Sequence, residues 1–256
     1  RTDKVPNTSP TAASSGTDLN GMAALAACKT LKDRITWFLQ QKFDTDALPM
    51  FKDGRVFIGF NQMSFSELAR AAWFARVPLS ATGHYATPGI GWDQATGKGR
   101  PFFYFAHGAA VSEVERDTLT GANRVVRADL LHDVGQSINP ALDLGQIEGA
   151  YIQGMGWLTM EELVFDAKGR LLTHAPSTYK IPTASDRPDV MNIDLFANKN
   201  PEATVYRSKA VGEPPFMLAI SVHSALAHAI ASLGGADYWP DLNAPATAEE
   251  VLRCLD

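Results

Sequence analysis

FFYFAHGAAVSEVERDTLTGANRVVRADLL, residues 102–131, is followed closely by NPALDLGQIEGAYIQGMG, residues 139–156. These two stretches decide the fold class. In the first, the aromatic run with Val111 and Val114 predicts a long strand over Phe102–Arg116. DTLTGANR turns the chain, and Val125–Leu131 predicts a returning strand. In the second, Asn139 is a helix N-cap and Pro140 suits the first helical position. That helix carries Gly145, Gly149, Gly154 and Gly156. Each glycine costs about 1 kcal/mol of helix propensity relative to alanine. In exchange they leave a bare face where a backbone or a ligand can come close. Hairpin strands beside a separate helix predict an α+β fold, with mixed sheets, hairpins and packed helices, rather than a βαβ sheet.

The flanking text agrees. Val5–Asp18 is small, polar and Pro-interrupted, and reads as a loop that ends on Thr17 and Asp18, either of which could cap a helix. Apolar spacing predicts that helix from Leu19 to about Lys42. Met50–Gly59 is two short apolar runs around Asp53-Gly54, a hairpin signature. Ser64 and Glu67 form a capping box for a second helix to about Arg76, stopped by Pro78. Residues 82–100 read as loop. Glu162–Phe165 and Arg170–Leu172 flank a DAKG turn, and strands are expected near Val190–Phe196 and Ala203–Ser208. Pro214-Pro215 opens an apolar helix to about Leu233, ahead of Gly234-Gly235.

Composition narrows the function. The chain has 256 residues, 45% hydrophobic and 20% charged, enough apolar mass for a sizeable core. The net charge of −5, without a Lys/Arg block, argues against nucleic-acid and anionic-membrane partners. No apolar run is expected to reach the roughly 18–20 residues that span a bilayer. Two cysteines, Cys28 and Cys254, cannot supply a four-cysteine iron–sulfur or zinc site. Low cysteine use and the lack of an apolar leader point to a reducing cytoplasm. The opening residues read as mid-domain text, so a fragment or processed chain is expected.

Candidate chemistry is sparse when read residue by residue. The six histidines form no HExxH pair, and no GxSxG elbow supports a serine nucleophile. Glu213 stands at the mouth of the apolar helix. It is either a carboxylate capping the helix or an ionised general base held at a rigid helix start. Gln146 is either an ordinary polar residue on a helix face or an amide presented to a polar ligand. Thr11–Thr17 is either a flexible linker or a run of N–H groups and hydroxyls that could cradle a pterin or phosphate.

Taken together, five blocks are more specific: VPNTSPTAASSGTD (5–18), GAAVSEVERDTLTG (108–121), DVGQSINPALDLGQIEGAYIQGMG (133–156), APSTYKIP (175–182) and SKAVGEPPFMLAISV (208–222). In this order they resemble the C-terminal part of the molybdopterin-binding region of the xanthine dehydrogenases. The likeness runs from Thr2 to Leu252, and LNAPAT (242–247) resembles the usual end of such chains. The resemblance implies a cofactor-contacting loop over 1–17 and a C-terminal molybdopterin-binding domain over 18–256. It implies Glu213 as the catalytic base. It places Ala13 (backbone beside the molybdenum), Ser14, Ser15, Gly16, Thr17, Gln146 and Gly212 against the pterin cofactor, with Ala12 and Ala13 bordering the substrate. Position 16 is glycine, so only a backbone contact carries over there.

The implied reaction is hydroxylation of a purine, hypoxanthine or xanthine, towards urate. Glu-Pro-Pro favours the xanthine dehydrogenases over the aldehyde oxidases. The implied cofactor is molybdenum–molybdopterin. A 2Fe–2S group and FAD would serve the holoenzyme without being bound by this chain. The implied partners are the upstream molybdenum-domain segment and the iron–sulfur/FAD part. Two alternatives stay open: a scaffold fragment that binds no cofactor alone, and a related hydroxylase of aldehydes or other N-heterocycles.

Overall fold

A computed structural model describes residues 12–235 and 237–255. The first part of the amino-terminal loop, residues 5–11, lies outside the described residues. The chain divides into two compact units: Ser15–Phe103, and the stretch up to Ser14 together with the chain from Tyr104 onward.

In the Ser15–Phe103 unit the helix starts earlier than its apolar spacing suggests. A π-helical turn, Thr17–Gly21, runs into α1 (Met22–Phe43). Gly16 is already helical, so neither Thr17 nor Asp18 caps the element; both lie in its first turn. The hairpin is as expected: β1 (Met50–Lys52) pairs antiparallel with β2 (Arg55–Ile58). Its two turn residues, Asp53 and Gly54, are both left-handed (φ 49° and 71°), which a two-residue hairpin with the native strand twist requires. β3 (Asn61–Ser64) adds a third strand to β2.

Ser64 caps α2 (Phe65–Phe74) through a full capping box: its hydroxyl accepts from the Glu67 N–H, and Glu67 accepts from the Ser64 N–H. Arg76, left-handed at φ 58°, closes the helix two residues before Pro78. Phe38, Leu39, Val56, Ile58, Leu68 and Ala72 make this unit's core. Residues 82–100, expected as loop, contain a hairpin, β4 (Gly91–Asp93) with β5 (Lys98–Arg100). Every residue in it is exposed, so no apolar alternation announced it.

The second unit is built on a three-stranded sheet. β6 (Gly108–Arg116) pairs antiparallel with β7 (Asn123–His132), with Gly108 opposite His132. The predicted strand over 102–116 is thus shortened; 102–107 lie outside the sheet. After β7 the chain enters α3 (Pro140–Thr159), capped by Asn139, whose side chain accepts from the Leu142 N–H. It returns as β8 (Val190–Leu195), parallel to β7. The fold is α+β, and this one parallel pair, joined through α3, is its single departure from hairpin pairing among the described strands. The DAKG hairpin reduces to one bridge, Phe165 with Leu171. The strand expected at Ala203–Ser208 is a 3-10 turn, Val205–Arg207, because Tyr206 and Arg207 are left-handed (φ 49° and 63°) and cannot continue an extended ladder.

Pro214-Pro215 opens a 3-10 turn (Pro214–Ala219) that runs into α4 (Ile220–Ala231). Contrary to the sequence expectation, Pro214–Ala231 is long and apolar enough to span a bilayer by length and composition, at mean hydropathy 1.3. The fold uses that apolarity internally: Leu218, Val222 and Leu226 join Val125, Leu130, Ile147, Tyr151 and Met155 in the core. A short helix, α5 (Ala248–Arg253), follows.

Two of the α3 glycines explain themselves by packing. A Cβ on Gly154 would lie 2.7 Å from the Phe216 carbonyl oxygen and 2.8 Å from the Ala219 Cβ. A Cβ on Gly156 would lie 2.5 Å from a Glu161 carboxylate oxygen. A half-buried hydroxyl chain ties the layers. Ser112 bonds the Tyr151 hydroxyl (2.8 Å) and the Ser221 hydroxyl (2.7 Å), and Ser221 bonds the Leu218 carbonyl.

Candidate active site

Glu213 stands immediately before the 3-10 turn, with its carbonyl accepting from the Phe216 N–H. Its side chain makes no capping hydrogen bond and is exposed. The carboxylate is therefore not used up in closing the helix. The residue before it makes the decisive contact. A Cβ on Gly212 would fall 2.5 Å from the Ser14 hydroxyl and 3.4 Å from the Gln146 side-chain oxygen. Gly212 is thus the point where the amino-terminal loop, α3 and the Glu213 turn meet, and a side chain there would displace the Ser14 hydroxyl.

Gln146 itself is exposed, on the face of α3 that carries Gly145 and Gly149. Neither glycine has any atom within 4 Å of the position a Cβ would take. Half of the glycines on α3 therefore serve packing and half leave open surface beside Gln146. Ala12 and Ala13 are exposed, and Ala13 and Ser14 are left-handed (φ 51° and 57°). That conformation turns the chain sharply beside Gly212. Ser15, Gly16 and Thr17 belong to the other unit, where they form the entry to α1. The structure thus brings Ser14, Gln146, Gly212 and Glu213 together within one unit.

The loop that delivers Glu213 is anchored by residues that motif reading did not single out. Lys209 and Asp133 form an ion pair at 2.5 Å, with side chains only 5% and 6% exposed. The Lys209 ammonium also donates to the Phe105 carbonyl at 2.8 Å. Asp133 accepts from the Gly135 N–H and from the Asn198 amide. Burial pushes the Asp133 carboxyl up, but the bonds from Lys209 and Gly135 and the Lys209 charge outweigh it and hold it below the ordinary carboxylate range. The available cue was a lysine set in small and apolar text, Ser208-Lys-Ala-Val-Gly. Two concavities of about 470 and 670 Å³, lined in part by His174 with Tyr179 and by Ser112 with His228, include none of the site residues. Among the described residues no group of three or more His, Cys, Asp or Glu converges to hold a metal ion directly.

A cofactor presented here would meet an amide, a serine hydroxyl, backbone at two small-residue turns and an unshielded helix face. These suit a flat polar ligand held by hydrogen bonds, with its metal carried by the ligand rather than by protein side chains.

A family model described as a molybdopterin cofactor-binding domain matches residues 1–188. Over its full length the chain is 44% identical to a xanthine dehydrogenase of Dictyostelium discoideum and 42% identical to a xanthine dehydrogenase/oxidase of Felis catus, and it spans 18% of each of those proteins. Among solved structures, quinoline 2-oxidoreductase from Pseudomonas putida 86 superposes with a TM-score of 0.76 at 25% identity, covering 96% of this chain and 30% of that one. The aldehyde oxidoreductase of Desulfovibrio gigas superposes with a TM-score of 0.71 at 26% identity, covering 99% and 24% respectively.

Proposed function

Since this chain belongs to the molybdopterin cofactor-binding domain family, we propose that it forms the C-terminal portion of the catalytic region of a molybdenum hydroxylase of xanthine dehydrogenase type. Its substrates would be hypoxanthine and xanthine, oxidised towards urate in a reducing cytoplasm. The observation that supports this reading most directly is the meeting of Ser14 and Gln146 at Gly212, beside an uncommitted Glu213.

In this reading Gln146, Gly212, Ala13 and Ser14 would hold the pterin, with the Ala13 backbone on the side of its metal. Ala12 and Ala13 border the purine. When bound, molybdenum–molybdopterin would supply the two-electron redox chemistry of the hydroxylation, with 2Fe–2S and FAD groups held outside this chain. Glu213 acts as general base: one carboxylate oxygen takes a proton from the oxygen nucleophile as it attacks an electron-poor ring carbon. The place of Glu213 at the start of a proline-stiffened turn fixes its position, which is what a general base needs. The remainder of the enzyme, including an upstream molybdenum-domain segment and the iron–sulfur/FAD part, would close the site.

The test is Glu213→Gln in the full-length enzyme. Glutamine keeps the size and some hydrogen bonding but takes no proton. Turnover should fall about 10²–10⁴-fold, with molybdenum content unchanged. Turnover within twofold of wild type in metal-loaded protein would remove Glu213 from the role.

A further inference from the structure

We infer that the buried Lys209–Asp133 pair is a positioning device for Glu213, holding the 208–213 loop so that its carboxylate meets the substrate in register. The inference rests on the general-base reading of Glu213 and adds the residues that aim it.

Four observations carry it. First, Lys209 is four residues before Glu213 and is fixed at three points. Its N–H donates to the Val134 carbonyl, and its ammonium reaches both Asp133 and the Phe105 carbonyl. Ala210 adds a fourth anchor, donating its N–H to the Tyr104 hydroxyl at 2.7 Å. Only Val211 and Gly212 separate these anchors from Glu213, so a displacement at Lys209 has little chain in which to dissipate.

Second, the approach to Lys209 is strained. Tyr206 and Arg207 are consecutive non-glycine residues in the left-handed region. Such a conformation persists only where its surroundings over-determine it, and it concentrates at functional sites. The restraints are visible. The Arg207 carbonyl accepts from the N–H groups of Gln136 and Asn200, and the Ser208 carbonyl accepts from the side chains of Asn200 and Thr204.

Third, Gly135 is left-handed at φ 62°, and a Cβ there would lie 2.5 Å from the Arg207 carbonyl oxygen. The segment bearing Asp133 is thus shaped to receive this loop. Fourth, a buried ion pair is a poor way to gain stability, since apolar residues of similar volume often serve as well or better. Its directional bonds do something apolar packing does not: they fix the loop at one position along the 133–136 segment.

The experiment uses the full-length enzyme. Asp133→Asn is combined with Lys209→Met, which removes both charges and leaves none unpaired in the interior. The expected result is unchanged molybdenum content, little change in KM and a kcat reduced by about a hundredfold, the scale on which a misplacement of about 1 Å acts. Amide hydrogen exchange over residues 208–216 should accelerate. Adding Glu213→Gln to the pair variant should cost nothing further relative to Glu213→Gln alone, because residues that act as one unit are not additive.

The proposal is overturned if kcat stays within twofold of wild type, if the two losses multiply, or if molybdenum is lost with the pair, since the pair would then serve the fold or the cofactor instead. Should the pair variant not fold, Lys209→Arg keeps the charge but replaces the compact ammonium with a planar fork, and is read by the same criteria. A Glu213→Gln enzyme with full turnover would instead refute the base reading itself, whatever the pair does.

Discussion

At the scale of single residues, the imidazole of His132 is the most exacting group in the chain. It is 2% exposed, and among the described residues neither ring nitrogen has a hydrogen-bond partner. Gly108 faces it so closely that a Cβ there would sit 2.8 Å from Nδ1. Burial holds the ring's pKa below the ordinary value of 6.5. The neighbouring Lys209 charge acts in the same direction, and Asp133 opposes it. The fold therefore keeps His132 neutral, whereas the unfolded chain protonates it near pH 6.5. Above that pH neither state binds the proton and His132 costs nothing. As pH falls below 6.5 the unfolded state gains protons that the folded state refuses, and stability drops by up to about 1.4 kcal/mol per pH unit. Asp133, also depressed, adds the same sign of change at lower pH, below its unfolded value near 3.9. The urea midpoint should hold steady from pH 8 to pH 7 and decline from pH 6.5 to pH 5. His132→Leu should flatten that decline. Parallel pH curves for the two proteins would show that another group carries it.

At the scale of elements, α3 separates two uses of glycine. At Gly149 a methyl group meets nothing, so Gly149→Ala should stabilise the isolated chain by about 1 kcal/mol through helix propensity. At Gly154 the methyl is driven into the Phe216 carbonyl and Ala219, and overpacking of this kind costs about 1–3 kcal/mol. Denaturant midpoints should move in opposite directions for the two substitutions. In the full-length enzyme Gly149→Ala should, despite its stability, lower molybdenum content, because its methyl intrudes on the face beside Gln146. Full metal loading would show that this face does not hold the cofactor.

The same helix shows what could be read in advance. Asn139-Pro140, the Ser64 capping box and the Asp53-Gly54 turn are local chemistry, in which neighbours in sequence bond to one another, and each element formed where its text placed it. The glycines on α3 announced a bare face but not which of them would be packed, since Phe216 and Ala219 come from sixty residues further on. The aromatic run before Gly108 looked like strand, yet it supplies the Tyr104 hydroxyl and the Phe105 carbonyl to the Lys209 loop. Tyr206 and Arg207 read as extended, and only tertiary restraint turns them left-handed. Glu213 and Gln146 stood out through a resemblance spanning several blocks; the contact of Ser14 with Gly212 needed the fold.

At the scale of the whole molecule, the described site residues lie at the surface, and no described residue encloses them. A pterin-sized ligand needs burial over most of its surface and several fixed polar partners. The chain offers Gln146, the loop through Ser14 and the Glu213 turn, and Gln146, Ala12, Ala13 and Glu213 are all exposed. Leu142 and Met217, one helical turn along the chain from Gln146 and Glu213, are 65% and 61% exposed, and apolar side chains left bare beside a site suit a surface that a partner covers. The relatives supply candidates for the cover, since this chain spans 18% of their length. We therefore expect residues 1–256 alone to hold no molybdopterin and to turn over no purine. Without the cover, water competes for every hydrogen bond to the ligand, and Glu213 has no bound nucleophile to deprotonate. The protein should be purified from a host that makes the cofactor, its molybdenum measured by elemental analysis and xanthine oxidation assayed in parallel. Metal near one equivalent together with urate formation would show that these 256 residues build a complete pocket. Metal below a tenth of an equivalent, restored on co-expression with the remainder of the enzyme, is the outcome the exposed site predicts.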